Sequence, residues 1–359
     1  MKKITNFELG SIVYFLSRAY FIGISINTLI VISKQDSWFS ILLATLIGII
    51  PLLIFLYVFN YEPDLNLNQK IIKLFGKVLG NIINILLLLF TLFLITIDFS
   101  NIVTIIHGDY LSKTPVIFLA IAFIISVFYS VTKGLKTICR SCLIFFYASI
   151  LLVIISNIGL LVQLDFNNFK PLFLNGGNIL KGSFIHLSFN ILPLYLINII
   201  PKNQIKNNNK SNLTIFLFYF LANITLFLVA FCIIGIFGIK LATLYQYPEF
   251  QILKHVALIG LSSRLDSILF IQWIFDILIL IIIGLYYIVN TTHMFIKEKK
   301  NICLFIYCLI IVISTLLVPN NLFLNYISTR SLPIIISVFI TTIFILLCVK
   351  IKYTKKIKR

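Results

Sequence analysis

Ten apolar runs, each of a length that can cross a bilayer, recur along this chain at 9–32, 38–59, 82–106, 115–131, 142–162, 179–200, 213–237, 268–289, 302–318 and 332–349. A hydrocarbon core about 30 Å thick takes roughly 20 residues of helix, and lipid offers the backbone no hydrogen-bond partner, so such runs satisfy themselves as helices. The ten windows occupy 213 of the 359 residues. The rest is divided among two termini and nine connections, which leaves no soluble catalytic domain; any chemistry has to lie inside the helix bundle. Composition agrees, at 60% hydrophobic and 11% charged, against about 45–50% and about 25% in soluble globular chains. Continuous runs exclude an outer-membrane barrel, whose strands alternate in short segments. No Gly-x4-Gly-Lys-Ser/Thr phosphate loop is present, which excludes a nucleotide-driven pump within this chain. The expected fold is an all-α integral membrane protein of one transmembrane domain, residues 1–359, and not an enzyme.

A net charge of +18 would suit nucleic acid if it were gathered on one patch, but the cations follow the membrane and no nucleic-acid partner is expected. With the N-terminus in the cytoplasm, 20 Lys and Arg fall on inside segments and 8 on outside ones, with Arg18 inside the first run. That split satisfies the positive-inside rule and places both termini in the cytoplasm. The polybasic stretch 350–359 then lies along anionic headgroups of the lipid bilayer. The first run is too long for a signal peptide and contains Arg18, so it reads as a retained span. Of six cysteines, only Cys139 and Cys142 form a C-x-x-C. With no second pair for a metal and no thioredoxin-like context, they read as structural, and neither metal nor cofactor is expected.

Between the second and third runs, Leu67, Ile71, Ile72, Leu74, Phe75 and Val78 recur at helical spacing, with Lys70, Lys73 and Lys77 on the opposing side. This predicts an amphipathic helix in the cytoplasmic interface. A second interfacial or reentrant segment is expected over 244–261, and the polar stretch 202–212 reads as a plain flexible connection. Ten spans divide five plus five, as halves of about 1–165 and 166–359, and an odd-numbered repeat inverts the second copy. The first span of each half should then be broken. Ser17, Arg18 and Gly23 interrupt the first run, and His186, Ser188, Asn190 and Pro193 interrupt the sixth. Freed backbone at membrane depth is tolerated beside a cavity, so matching interruptions predict breaks near Gly23 and Pro193.

Four ionisable residues lie within runs: Arg18, Asp98, His186 and Asp276. At a rise of 1.5 Å per residue each is about 10–14 Å from a membrane boundary. Such groups are costly, face the interior and tend to be paired. Arg18 either bridges Asp98 or Asp276 as a clip between helices, or receives a ligand carboxylate in two-pronged fashion. His186 is either a satisfied buried side chain or a proton relay. Asn27, Asn157 and Asn190 suit interhelical hydrogen bonds. Arg264, Leu265 and Asp266 with Trp273 read as an interface anchor and helix start, with a gate as the other role.

Several runs together resemble one family, the B subunits of spore germinant receptors, within the amino acid, polyamine and organocation permease superfamily. They are Lys34-Gln35-Asp36-Ser37-Trp38; Tyr110-Leu111-Ser112-Lys113-Thr114-Pro115; Lys133-Gly134-Leu135-Lys136-Thr137-Ile138-Cys139-Arg140; Phe169-Lys170-Pro171 with Lys181-Gly182; and Tyr247-Pro248 followed by Ser263-Arg264-Leu265-Asp266-Ser267 and Trp273. Their order spans essentially the whole chain. The resemblance implies ten helices in a five-plus-five inverted repeat and a pocket beside the breaks in helices one and six, lined also by helices three and eight. It also implies work with A and C subunits in the inner membrane of a spore. The expected pocket comprises Ser17, Arg18, Ala19 and Ile22, with Asp98, His186, Asn190, Trp273 and Asp276. Half-helix N-termini would hold a ligand carboxylate there, and released carbonyls with a carboxylate side chain its ammonium. Many relatives have a more acidic or glycine-rich centre in helix six than the Phe189 and Asn190 found here.

Three functions are weighed. One is a receptor subunit that binds a small germinant, an amino acid, and signals through the differential affinity of two conformations. Another is a proton-coupled amino acid transporter. Some such symporters of the superfamily place a lysine in helix five, and the fifth run here has none. The third, a scaffold without ligand, predicts no cavity at the helix breaks.

Overall fold

The computed structural model describes residues 3–21, 25–245, 247–255, 266–296, 299–317 and 332–357. Among them every regular element is a helix, and eight helical stretches are long and apolar enough to cross a membrane. The chain enters through α1 (Asn6–Arg18), opened by a capping box in which Thr5 and Glu8 satisfy each other's backbone amides. Glu8 also accepts from Lys136 at 2.6 Å. Burial would raise its carboxyl, but Lys136 and the Thr5 amide outweigh it and hold Glu8 below the usual range. The run 9–32 is shared between α1 and α2 (Ile26–Ser33), and the run 38–59 between α3 (Ser37–Ile47) and α4 (Ile49–Asn60). Pro51, in the first turn of α4, cannot donate to the preceding turn, which accounts for the division at Gly48.

The predicted amphipathic helix is α5 (Leu67–Phe75), capped by Asn66 and Gln69. Here the lysine face needs correction. Lys73 is exposed and pairs with Glu62 at 2.6 Å, but Lys70 is fully buried. Its Nζ donates to the carbonyls of Val58 and Phe59 at 2.9 and 3.0 Å, where α4 ends with orphan acceptors. A cation at a helix C-terminus gains from the dipole, and that outweighs its place on the helical wheel. Burial pulls the Lys70 ammonium down to about 8, with Glu62 opposing.

The long helices follow: α6 (Lys77–Ile105), α7 (Val116–Thr132), α8 (Leu135–Leu161) and α9 (Gly176–Ile191), which continues as a 3-10 turn over Leu192–Ile199. Beyond it the stretch 202–210 is more ordered than its composition suggests. It forms two 3-10 turns, and Ile4 and Ile205 make a parallel bridge, with Ile4 N–H donating to Gln204 O at 2.8 Å. α10 (Ser211–Leu244) bends at Gly238, whose φ of 62° is the left-handed region that glycine tolerates. α11 (Pro248–His255) occupies the first part of the predicted interfacial segment; 256–261 lie outside the described residues. α12 (Asp266–Phe295), α13 (Lys300–Leu317) and α14 (Leu332–Ile357) complete the bundle. Arg264 and Leu265 also lie outside the described residues.

α1, the end of α9, α10 and α12 form the core, whereas α7, α8, α13 and α14 expose residues such as Phe118, Ile144, Ile313 and Ile335, as lipid contact requires. Two of the motif runs dock on each other. Gln35 Nε2 donates to Pro171 O at 2.5 Å, Phe173 N–H donates to Asp36 Oδ1 at 3.0 Å, and the Trp38 ring lies 6.4 Å from those of Phe169 and Phe173. A serine seam joins α2, α3 and α9: Ser40 Oγ lies 2.9 Å from Ser33 Oγ and 3.1 Å from Ile179 O, within hydrogen-bond reach of both. Gly182 lies so close to Ser33 that a Cβ would overlap its hydroxyl. Small residues allow such approach between membrane helices.

Candidate ligand site at the interrupted helices

The end of α1 and the end of α9, beside the two expected interruptions, meet in the core. α1 stops at Arg18 and α2 begins at Ile26, with Ser25 N–H donating to Tyr20 O at 3.1 Å in a wider turn. Ile22 and Gly23 lie outside the described residues. α9 stops at Ile191, where Pro193 enters a tighter turn. Asn190 joins the two, its Nδ2 donating to Ser17 O at 2.8 Å and to Asn223 Oδ1 of α10 at 3.2 Å. A carbonyl released where α1 ends is thus met by a side chain released where α9 ends.

Arg18 and Asp276 form a fully buried pair, so of the two carboxylates weighed for the clip, Asp276 takes it. Arg18 Nε reaches both carboxylate oxygens, at 3.1 and 3.2 Å. Nη1 donates to Thr225 Oγ1, Nη2 lies 3.4 Å from Gln272 Oε1, and the guanidinium carbon stands 4.9 Å from the Tyr14 ring centre. Three helices, α1, α10 and α12, meet on this one cation. Thr225, Gln272 and Tyr14 were not foreseen. Their signal in the sequence is only that each is polar within an apolar run.

Asp98 is separate from that pair. It is buried on α6, both carboxylate oxygens lack a hydrogen-bond partner among the described residues, and its neighbour is Tyr20, beside the break in α1. His186 is buried with its ring edge-on to Phe21 at 5.4 Å and beside Asn223, and neither ring nitrogen completes a hydrogen bond. Unpartnered buried atoms gather here: Ser17 Oγ, Tyr20 OH and Asn190 Oδ1 at the breaks, Gln272 Nε2 and Trp273 Nε1 on α12. Each such group costs about 1–3 kcal/mol when left without a partner, so those beside the breaks are the polar atoms open to a further partner. Ala19 is buried at the end of α1, and Ser188 is half-buried and bonds back to its own helix. Trp273 departs from its reading as an interface anchor. It is fully buried, 5.6 Å from Phe250 and 6.1 Å from Phe270, because α11 folds an aromatic cluster over it. Asn27 bridges to Tyr245 O at 2.7 Å, as glue between segments; Asn157 bonds mainly within its own helix. Cys139 and Cys142 are buried free thiols, and no cluster of three or more metal-binding side chains occurs among the described residues.

The family model for spore germination proteins, the spore permeases, matches residues 3–324. The chain belongs to that family. Among its relatives is spore germination protein XB of Bacillus anthracis, 24% identical over 333 residues, which cover 90% of this chain and 91% of that protein. YfkT of Bacillus subtilis (strain 168) is 25% identical over 263 residues, 72% of this chain and 70% of its own length. Among solved structures, two mutant forms of a manganese transporter of Eremococcus coleocola share the fold. Their TM-scores are 0.56 and 0.55, at 13% identity, over 93% of this chain and 76% of theirs. This spore germination family member is therefore an integral membrane protein with a transporter-like helical fold.

Proposed function

We propose that the chain is the membrane subunit of a spore germinant receptor, and that it binds a small germinant, an amino acid, where the two interrupted helices meet. The observation that carries this reading is the Asn190 to Ser17 hydrogen bond between the breaks, set among buried polar atoms without partners. Ten spans in a five-plus-five inverted repeat, with α1–α2 and α9 as the broken first members of each half, are the architecture this site implies. Both termini lie in the cytoplasm on this reading, and A and C subunits complete the receptor in the inner membrane of the spore.

Asp98 is the residue suited to an ammonium group, because its oxygens are unengaged. Arg18 and Asp276 engage each other and, with Gln272 on the same guanidinium, hold α12 against α1. Spores that carry Asp98→Asn should need a higher germinant concentration, by tenfold or more for loss of a buried charge contact at about 1.5–3 kcal/mol. An unchanged dose response at normal protein level would reject the site. A proton-coupled amino acid transporter is the second reading, favoured by the transporter-like fold. Flux of labelled amino acid into liposomes holding the full chain would establish it.

A further inference from the structure

The motif run Lys133-Gly134-Leu135-Lys136 joins α7 to α8 and takes no part in the site at the breaks. With Lys3, Asn203 and Gln204 it lines a cavity of about 500 Å³, a volume ordinary for small-ligand sites. Gly134, at a φ of 80°, turns the chain into α8 and offers no side-chain cap. Thr137 and Ile138 both donate to Gly134 O, at 3.1 and 3.2 Å, so the amides of Leu135 and Lys136 have no acceptor among the described residues. Three ammonium groups border the same space. Lys136 holds Glu8 at 2.6 Å, and Lys133 stands 4.5 Å from the centre of the Tyr129 ring. Neither Lys3 nor Lys133 is in an ion pair among the described residues. A second cavity of about 270 Å³ shares Leu135, Gln204 and Tyr286 with the first. Lys300 borders it, its Nζ on Asn290 Oδ1 at 2.7 Å, and no carboxylate lines either cavity among the described residues. Asn68 and Tyr287 also line the second, both more than nine-tenths buried, and Asn68 Oδ1 and Tyr287 OH are unpartnered there.

We propose that the two adjoining cavities bind a phosphoglycerol group, with the phosphate in the larger and the glycerol hydroxyls in the smaller. Free amides and the dipole at the start of a helix attract anions, and Lys3, Lys133 and Lys136 add full charges to them. Lysine meets phosphate as a point charge and needs no fixed angle. The smaller cavity sets the rest of the ligand. A glycerol hydroxyl can accept from Tyr287 OH and donate to Asn68 Oδ1, the two buried groups left open there. Such a group arrives either as the headgroup of an anionic phospholipid or as free glycerol phosphate, and the same contacts serve both. Membrane topology alone would gather lysines on this face, but it calls for neither the cavities nor the open Tyr287 and Asn68 atoms. The inference goes beyond the germinant reading and its test uses no amino acid, so either can fail alone.

The test has a soluble arm and a lipid arm, both on the purified full chain. In phosphatidylcholine liposomes, equilibrium binding of glycerol 3-phosphate is compared with that of inorganic phosphate. In detergent micelles, native mass spectrometry compares retention of added phosphatidylglycerol with that of phosphatidylcholine. Binding of free glycerol 3-phosphate assigns a soluble ligand; retention of phosphatidylglycerol alone assigns a headgroup. Lys3→Gln with Lys133→Gln, both exposed and so safe for folding, should weaken the bound species about tenfold or more, as loss of charge-assisted contacts does. Tyr287→Phe removes only an unpartnered hydroxyl. It should weaken the phosphoglycerol ligand about fivefold, for one neutral hydrogen bond, and leave inorganic phosphate unchanged. Lys210→Gln, an exposed lysine in the same connection as Gln204 but outside both cavities, should change nothing. Binding in neither arm would overturn the proposal, as would a loss in Lys210→Gln equal to that of the double variant, or indifference of the bound phosphoglycerol to Tyr287→Phe.

Discussion

Removing one member of the Arg18–Asp276 pair should cost far more than removing both. With Nε 3.1 Å from Oδ1, their attraction is about 5 kcal/mol at an effective dielectric constant of about 20. Bringing two charges out of water costs several kcal/mol per ion, so the pair contributes little net stability. Asp276→Asn leaves the fully buried guanidinium without its counter-ion, and Arg18→Met leaves the carboxylate alone. Each should cost about 3–5 kcal/mol, whereas Arg18→Met with Asp276→Leu should return to within about 2 kcal/mol of the unaltered chain. The assay is unfolding by sodium dodecyl sulfate in mixed micelles, followed by the fluorescence of Trp38 and Trp273, the two tryptophans of the chain. A double-mutant cycle then isolates the coupling. Single substitutions that cost under about 1 kcal/mol, or a double substitution equal to the sum of the singles, would refute the pairing argument.

Gly182→Ala should destabilise by about 1–3 kcal/mol, because the added methyl overlaps Ser33 where α2 and α9 touch. Gly176→Ala, which meets open space, should leave the same unfolding midpoint unchanged or slightly raised. Lys70 gives a pH dependence. Its folded value of about 8 lies below the ordinary 10.5, so between those values the unfolded chain binds more protons and stability rises with pH, by up to about 3 kcal/mol. Below about 8 that gain is absent. Unfolding at the two ends of the window should show the rise in the unaltered chain and lose it in Lys70→Met; an equal rise in both would assign it elsewhere.

Much of this was legible in the sequence because lipid leaves the backbone few options. An apolar run must become a helix, and Pro193 must disturb one. Arg18 and Asp276 were marked by cost alone, since charges at that depth need partners. What stayed hidden depends on how helices are juxtaposed. Lys70 followed the wheel of α5 in sequence, yet the orphan carbonyls that draw it inward belong to α4. Trp273 suits a headgroup anchor by residue type, but Phe250 of α11 covers it. Tyr195 and Tyr287 lie far apart in the chain, and only the packing of two elements brings their rings edge to face. The order in 202–210 rests on a bridge to Ile4, a contact no local composition announces.

The most direct test of the central claim is equilibrium binding of a panel of amino acids to the purified full chain in liposomes. Saturable binding of at least one of them is expected, weakened tenfold or more by Asp98→Asn, the loss that corresponds to about 1.4 kcal/mol or more of contact energy. Ser188→Ala, which changes a hydroxyl bonded to its own helix, should leave that affinity as it was. Saturable binding indifferent to Asp98→Asn, or no binding of any amino acid to the folded chain, would contradict a germinant site at the meeting of the two interrupted helices.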